Sequence, residues 1–135
     1  MRVFHQRITI INYRRPAKKE LNAELQFFGN ALGLFGDRDK EKSCFRIFIE
    51  LLKSTRKNHP LSSDEIAART HLSRGTVIHH INKLIESGLA AVEDSHYLLR
   101  AGNLESVMEE IQKDTNRTLE DLKQIAHEID GELGL

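Results

Sequence analysis

The sequence predicts a mainly α-helical fold of the α+β class, in which two short strands accompany the helices. Three observations support this. Apolar residues recur at intervals of three and four along most of the chain. Two short segments near the middle begin with helix-capping patterns, and a polar turn between two short apolar runs follows them. The chain has 135 residues, of which 39% are apolar and 30% are charged. This length is enough for one domain with a hydrophobic core and is marginal for two domains.

The N-terminal third predicts an extended segment followed by a helix. Residues 2–13 are rich in β-branched and aromatic side chains, which favour an extended segment or strand, and Pro16 ends it. From Ala17 to Phe35 the apolar residues are spaced by 4, 3, 4 and 3, which predicts one face of a helix. They are Leu21, Leu25, Phe28, Leu32 and Phe35.

A polar link at 37–42 leads into a second predicted helix, from about Lys40 to Ser54. Its apolar residues cover most of the circumference, which is typical of a helix at the centre of a core. The single cysteine, Cys44, lies on this helix and is expected to be a core residue. One cysteine excludes an intramolecular disulfide and a multi-cysteine zinc site.

Two further helices are marked by their caps. Ser62 and Glu65 have the spacing of a capping box, which predicts a helix at about 63–70. Ser73 is a good N-cap for a second helix that ends near Ser87. The four-residue link between them predicts a helix-turn-helix.

A hairpin and a long helix complete the chain. Two strands are predicted at 89–93 and 96–100, around a turn at Asp94 and Ser95. A helix-turn-helix followed by such a two-stranded wing is a winged helix-turn-helix. Asn103 caps the last helix. Its apolar seam comprises Leu104, Met108, Ile111, Thr115, Thr118, Leu122, Ile125 and Ile129.

The stretch LSSDEIAARTHLSRGTVIHHINKLIESGLA resembles the winged helix-turn-helix of ArsR/MarR-type transcriptional regulators. The order of elements and the tail HYLLRAGNLESVMEEI resemble small archaeal regulators of the ArsR type. The resemblance implies a homodimer that binds double-stranded DNA and regulates transcription. Residues 1–36 would be the N-terminal segment and dimerisation helix, 37–101 the DNA-binding domain and 102–135 the C-terminal dimerisation helix. The dimerisation residues would be Leu21, Leu25, Phe28, Leu32, Leu104, Ile111, Leu122, Ile125 and Ile129.

The helix that begins after Ser73 is the predicted recognition helix. Arg74 and His79 are expected to face base edges, and Thr76 and Lys83 are expected to lie nearer the phosphates. His80 matches a histidine common in ArsR recognition helices, with a structural hydrogen bond as its alternative role. The predicted DNA-binding set is Ser73, Arg74, Thr76, His79, His80 and Lys83.

The net charge is zero, but its distribution is uneven. Residues 1–60 contain 13 Lys or Arg and 6 Asp or Glu, whereas residues 89–135 contain 4 and 11. A basic cluster is predicted to contact phosphate, with a solvated surface as the alternative. It consists of Arg14, Arg15, Lys18 and Lys19. The wing tip is acidic at Glu93 and Asp94, so we expect little phosphate binding from it.

No motif indicates catalysis, a cofactor or a metal. The chain lacks a glycine-rich phosphate loop and a nucleophile elbow, so an enzyme is not expected. His79 and His80 are adjacent and would point about 100° apart on a helix, which is poor geometry for one ion. The absence of a long apolar run and of a secretory signal pattern leads us to expect a cytoplasmic protein. The second class of function that remains is a winged-helix protein-interaction module within transcription or RNA-processing machinery.

Overall fold

The computed structural model describes residues 5–36, 39 and 42–135, and this part contains five helices and a three-stranded antiparallel sheet. It confirms the mainly α fold class. In chain order the elements are α1 (Leu21–Ala31), α2 (Ser43–Arg56), β1 (Leu61–Ser62), α3 (Ser63–Thr70), α4 (Arg74–Glu86), β2 (Ala90–Glu93), β3 (His96–Leu99) and α5 (Leu104–Leu133).

The sheet has one strand more than the sequence predicted. Its order is β1-β3-β2, and Leu61 in β1 lies opposite Tyr97 in β3. The predicted two-stranded wing is confirmed as β2 and β3. Strand β1 was not predicted, because its two residues are too few to show a periodic pattern. Asp94 and Ser95 both have positive φ, 50° and 61°, as the tight two-residue turn of a hairpin requires.

The predicted helix caps are present. The Ser62 hydroxyl accepts from the Glu65 amide at 3.1 Å, and the Glu65 carboxylate accepts from the Ser62 amide at 3.0 Å. The Ser73 hydroxyl accepts from the Thr76 amide at 3.1 Å. These bonds satisfy amides that have no partner inside the helix. They set the first residues of α3 and α4, and so the turn between the two helices.

The C-terminus of α4 closes as a Schellman motif. Gly88 has a φ of 89°. Its amide donates to the carbonyl of Ile85 at 3.0 Å, and the amide of Leu89 donates to that of Leu84 at 3.1 Å. A Cβ on Gly88 would also lie 3.2 Å from Ile111 on α5. Glycine at this point lets the chain turn directly from α4 into the wing.

The core is centred on α2, as predicted. Ile47, Phe48 and Leu51 have no solvent-exposed surface. Helices α3 and α4 and strand β3 pack around α2. Cys44 is buried as well, and this burial raises the pKa of its thiol to about 12. Cys44 is therefore an inert core residue.

The N-terminal third differs from the prediction in its details. Helix α1 covers Leu21–Ala31 instead of 17–35, and Gly33, with a φ of 70°, follows its end. The ring of Phe35 folds back over Gly29, where a Cβ would clash with it. Because the chain folds back onto α1, the helical spacing of apolar residues continues to Phe35 although the helix ends at Ala31.

Residues 5–16 contain neither a helix nor a strand. The amide of Arg7 donates to Glu86 on α4, and that of Ile11 donates to Ala31 on α1. Residues 2–4 of the predicted segment lie outside the described residues. So do residues 37, 38, 40 and 41, and with them most of the predicted polar link and the predicted start of the second helix at Lys40.

Helix α5 changes its environment along its length. Asn103 caps it through its side chain, which accepts from the Ser106 amide at 2.8 Å. Val107 and Ile111 are buried against the rest of the chain, whereas every residue from 116 to 135 is exposed. None of the described helices is both long and apolar enough to cross a membrane.

Candidate nucleic-acid interface

Helix α4 is held from behind and is open in front. Val77, Ile81 and Leu84 are buried in the core, where α2 and α3 pack against α4. On the opposite side of the helix, Gly75, His79 and Asn82 are exposed, and we refer to these three as the exposed face of α4. A helix fixed on one side and bare on the other is what entry into a DNA major groove requires.

The N-terminus of α4 offers polar groups next to this face. The hydroxyls of Ser73 and Thr76 are hydrogen-bonded to each other at 2.8 Å. The Nε of Arg74 lies 3.7 Å from Oδ1 of Asp64, and both side chains are more than 70% exposed. An ion pair this exposed is weak, so a stronger anion can replace the carboxylate. The start of a helix also attracts anions through its unpaired amides and its dipole.

Lys83 lies at the side of α4 that faces the loop after α1. Its Nζ donates to the carbonyl oxygen of Leu34 at 3.3 Å, although the residue remains exposed overall. One of its protons is thus taken by the protein, and the others are available to a ligand.

His80 lies on the same side, half-buried near Leu34, Phe35 and Asp39. Its Nδ1 is buried and has no hydrogen-bond partner among the described residues. Burial lowers the pKa of His80, Asp39 opposes this effect, and His79 and Lys83 add to it. The imidazole is therefore neutral at pH 7. Its buried Nδ1 does not form, with any described residue, the structural hydrogen bond that was the alternative role, and the half-buried ring is less accessible to DNA than that of His79.

Sequence reasoning missed Asn82, which completes the exposed face. It follows His79 by three residues, so the helical period alone would have placed the two side by side. Asparagine can donate to and accept from an adenine edge in the major groove. Gly75 was missed for a different reason, since a residue without a side chain carries no chemical signal.

The wing tip is anionic in the structure too. Glu93 and Asp94 are exposed, and His96 bonds through Nδ1 to the carbonyl of Asp94 at 2.7 Å. Beside the wing tip, His59 and His96 lie 3.5 Å and 4.0 Å from the carboxylate oxygens of Glu65. The capping bond from the Ser62 amide lowers the pKa of Glu65 and keeps it charged. Neither feature attracts phosphate.

All four members of the basic cluster are exposed, and none forms an ion pair with a described residue. Arg15, Lys18 and Lys19 line a groove against Phe27 and Phe28 of α1. Their charges are therefore accessible to an external anion.

The predicted dimerisation residues separate into two groups by their burial in the chain. Leu32 and Ile111 are buried in the core of their own chain, and Leu25, Phe28 and Leu104 pack against that core. Leu32 and Ile111 are therefore less accessible to a second chain than the other predicted residues. The exposed members are Leu21, Leu122, Ile125 and Ile129.

Among the described residues, no group of three or more His, Cys, Asp or Glu side chains is placed to hold a metal ion. His59 and His96 lie beside the carboxylate of Glu65, which belongs to the capping box of α3.

The capped helix pair, the exposed face of α4 and the wing together define a winged helix-turn-helix domain. Residues 49–90 match a family model described as winged helix-turn-helix DNA-binding, which covers about a third of the chain. This stretch runs from the middle of α2 to the first residue of β2 and contains the whole of α4. Neither the comparison with curated proteins nor that with solved structures found a match.

Proposed function

We propose that this protein is a sequence-specific regulator of transcription that binds double-stranded DNA as a homodimer. One observation carries the proposal: a helix anchored by three buried residues presents an exposed polar face within a region that matches a DNA-binding family. The helices before and after this region stand in the order that ArsR-type regulators have, which supports a regulator of that kind.

In the proposed complex, α4 enters the major groove with its N-terminus first. Arg74 would recognise a guanine, Asn82 would recognise an adenine, and His79 would lie between them over the groove. Ser73 and Thr76, with the amides at the helix start, would bind a phosphate. Lys83 and the basic cluster would bind further phosphates and give affinity without sequence preference.

The homodimer would form through exposed apolar residues outside the DNA-binding region. Leu122, Ile125 and Ile129 are about half exposed on α5, and Leu21 is exposed on α1. Two copies would present two α4 helices to two half-sites, so operators with two-fold symmetry are expected. DNA as the partner also implies a cytoplasmic location. Catalysis and cofactors have no part in the proposal.

Selection of bound sequences from a random DNA duplex pool tests this function. The wild type should enrich a motif with two related halves. Its affinity for that motif should fall steeply with salt, because neutralised phosphates release counterions. The double variant Arg74→Ala, His79→Ala is compared with the wild type. It should enrich no motif but should keep the wild-type melting temperature. Loss of specificity without loss of folding assigns sequence recognition to α4.

The acidic wing tip supports a second candidate, a winged-helix module that binds a protein. The same experiment separates the two candidates. A protein-binding module should be retained on duplex DNA weakly and without enrichment of any motif, and substitutions at Arg74 or His79 should leave that retention unchanged.

A further inference from the structure

The last twenty residues of the chain lie outside its hydrophobic core. Every residue from 116 to 135 is exposed, although α5 continues to Leu133. Most helices in proteins are stabilised by packing of an apolar face, and this part of α5 also carries one. We call that face the exposed seam, and its large apolar side chains are between 47% and 67% exposed. It consists of Leu119, Leu122, Ile125, Ala126, Ile129 and Leu133.

The charges beside the exposed seam indicate which partner fits it. Leu119, Leu122, Ala126, Ile129 and Leu133 follow one another at intervals of 3, 4, 3 and 4, the pattern of a contact between two helices. Lys123 and Asp130 each follow a residue of this line directly, so they occupy equivalent positions at its edge. They lie seven residues apart and carry opposite charges. The seam is therefore complementary to a reversed copy of itself.

An antiparallel pair brings Lys123 and Asp130 together and packs Leu122, Ala126, Ile129 and Leu133 in a single register. When Lys123 of each helix lies beside Asp130 of the other, Leu122 faces Leu133 of the second copy and Ala126 faces Ile129. A small side chain then lies opposite a large one, and both ion pairs form.

A parallel pair provides neither the ion pairs nor this packing. Residues of the same number would face each other, so two alanines at 126 would leave a gap. Lys123 would lie beside Thr118 of the second copy, and Asp130 would lie beside Ile125, so neither charge would have an ionic partner.

We propose that a second copy of this chain covers the exposed seam, with the two α5 helices antiparallel and with reciprocal Lys123–Asp130 ion pairs. This deepens the proposed function, because it specifies how the homodimer of that proposal is built. The main bodies of the two subunits would then lie at opposite ends of the paired helices.

Two charge reversals test the arrangement. Lys123→Glu places like charges beside each other twice in the dimer, and so does Asp130→Lys. Each variant alone should dissociate about tenfold more readily than the wild type in sedimentation equilibrium. An equimolar mixture should form a heterodimer of nearly wild-type affinity. In that heterodimer the introduced glutamate of one chain meets the introduced lysine of the other, and the remaining Asp130 and Lys123 still form their ion pair.

The matched controls are Gln124→Glu and Gln124→Lys, which change the charge on the opposite side of α5. They should leave the dissociation constant unchanged, and circular dichroism should show wild-type helix content for all four variants. A mixture that dissociates as readily as its components would overturn the antiparallel register.

Distances between spin labels provide a second test of the antiparallel pairing, in which the side chains of the exposed seam are unchanged. In the antiparallel register, labels at Asn116→Cys lie about 23 residues apart along the helix pair, about 35 Å at about 1.5 Å per residue. A parallel pair would bring them within about two helix diameters, about 20 Å. Cys44 is buried and does not compete for the label.

Labels at His127→Cys lie close together in both arrangements, so they report whether the helices pair at all. Short distances at both positions would disprove the antiparallel arrangement and leave the homodimer intact. No coupling at either position would show that another partner covers the seam. DNA selection by the wild type is measured separately, so enrichment of a motif together with either result would contradict the antiparallel pairing of α5 and leave DNA binding in place.

Discussion

Arg100, directly after the wing, donates from Nη1 to Oδ2 of Asp114 on α5 at 2.7 Å. The same oxygen accepts from Nε2 of Gln6 at 2.9 Å, and Oδ1 accepts from Arg117 at 2.9 Å. One carboxylate thus joins the wing, α5 and the N-terminal segment. The Arg100 hydrogen bond lowers the pKa of Asp114, an effect that desolvation partly opposes.

Asp114→Asn should lower the free energy of unfolding at pH 7 by about 1–3 kcal/mol, because charge-assisted hydrogen bonds are lost. Since the folded-state pKa lies below the unfolded value of about 3.9, this stabilisation is complete above that pH and is lost as the pH falls through the folded pKa. Urea unfolding at pH 7 and pH 3 should show the difference shrinking in acid. Glu110→Gln is the control, since its contact to Arg100 is 4.0 Å long. Equal stability of Asp114→Asn and wild type at pH 7 would contradict this role.

His79→Ala and Asn82→Ala should each weaken binding to the selected DNA by about 1–3 kcal/mol and relax its sequence preference, because base contacts are removed. Lys83→Ala should weaken all sequences alike. The melting temperatures should stay close to the wild type, since all three residues are exposed. Fluorescence anisotropy on specific and scrambled duplexes measures both effects. Wild-type affinity in both His79→Ala and Asn82→Ala would mean that the exposed face of α4 does not read DNA.

Replacing Arg14, Arg15, Lys18 and Lys19 with glutamine should flatten the slope of log affinity against log salt. Each lost phosphate contact reduces that slope by about 0.9. The selected motif should not change, because phosphate carries no sequence information. Lys113→Gln, which removes an exposed charge on α5, serves as the control. An unchanged slope in the quadruple variant would assign the cluster to the solvated surface.

The double variant Leu122→Asp, Ile125→Asp should be monomeric and should bind DNA poorly, because one subunit contacts only one half-site. Both side chains are more than half exposed within the chain, so the monomer itself should remain folded. Sedimentation velocity at micromolar concentration measures the association state, and Gln124→Asp is the matched control. A monomeric wild type under the same conditions would rule out the exposed seam as a dimer contact.

His80→Gln should reduce the loss of stability in mild acid. The pKa of His80 is lowered by burial, so protonation favours the unfolded chain. The neutral ring's contribution is complete above the unfolded pKa of about 6.5 and is lost as the pH falls below it. Melting temperatures between pH 7.5 and pH 5 should therefore fall less in this variant than in the wild type. His127→Gln, at an exposed position on α5, should follow the wild type. Equal slopes for His80→Gln and wild type would show that His80 is not buried in solution.

The accuracy of the sequence-based prediction depended on the range of the interactions involved. The caps at Ser62 and Ser73 and the closing turn at Gly88 were predictable because each joins residues no more than five positions apart. Strand β1 was not, because Leu61 and Ser62 become a strand only through pairing with β3, more than thirty residues away. The sequence predicted too late an end for α1, because Phe35 continues the helical spacing of the apolar residues. In the structure Phe35 lies after the helix and packs over Gly29.

By itself, the sequence determined the order and caps of the helices, the helix-turn-helix and the presence of an apolar seam on the last helix. These follow from local hydrogen bonds and from a period that the chain repeats within a few residues. Only the tertiary structure decided which seam residues each subunit uses in its own core. Ile111 and Ile125 belong to one continuous pattern, yet the first is buried and the second is exposed. The difference arises because the core of one subunit covers only the first part of α5, and the extent of that core is set by packing between residues distant in sequence.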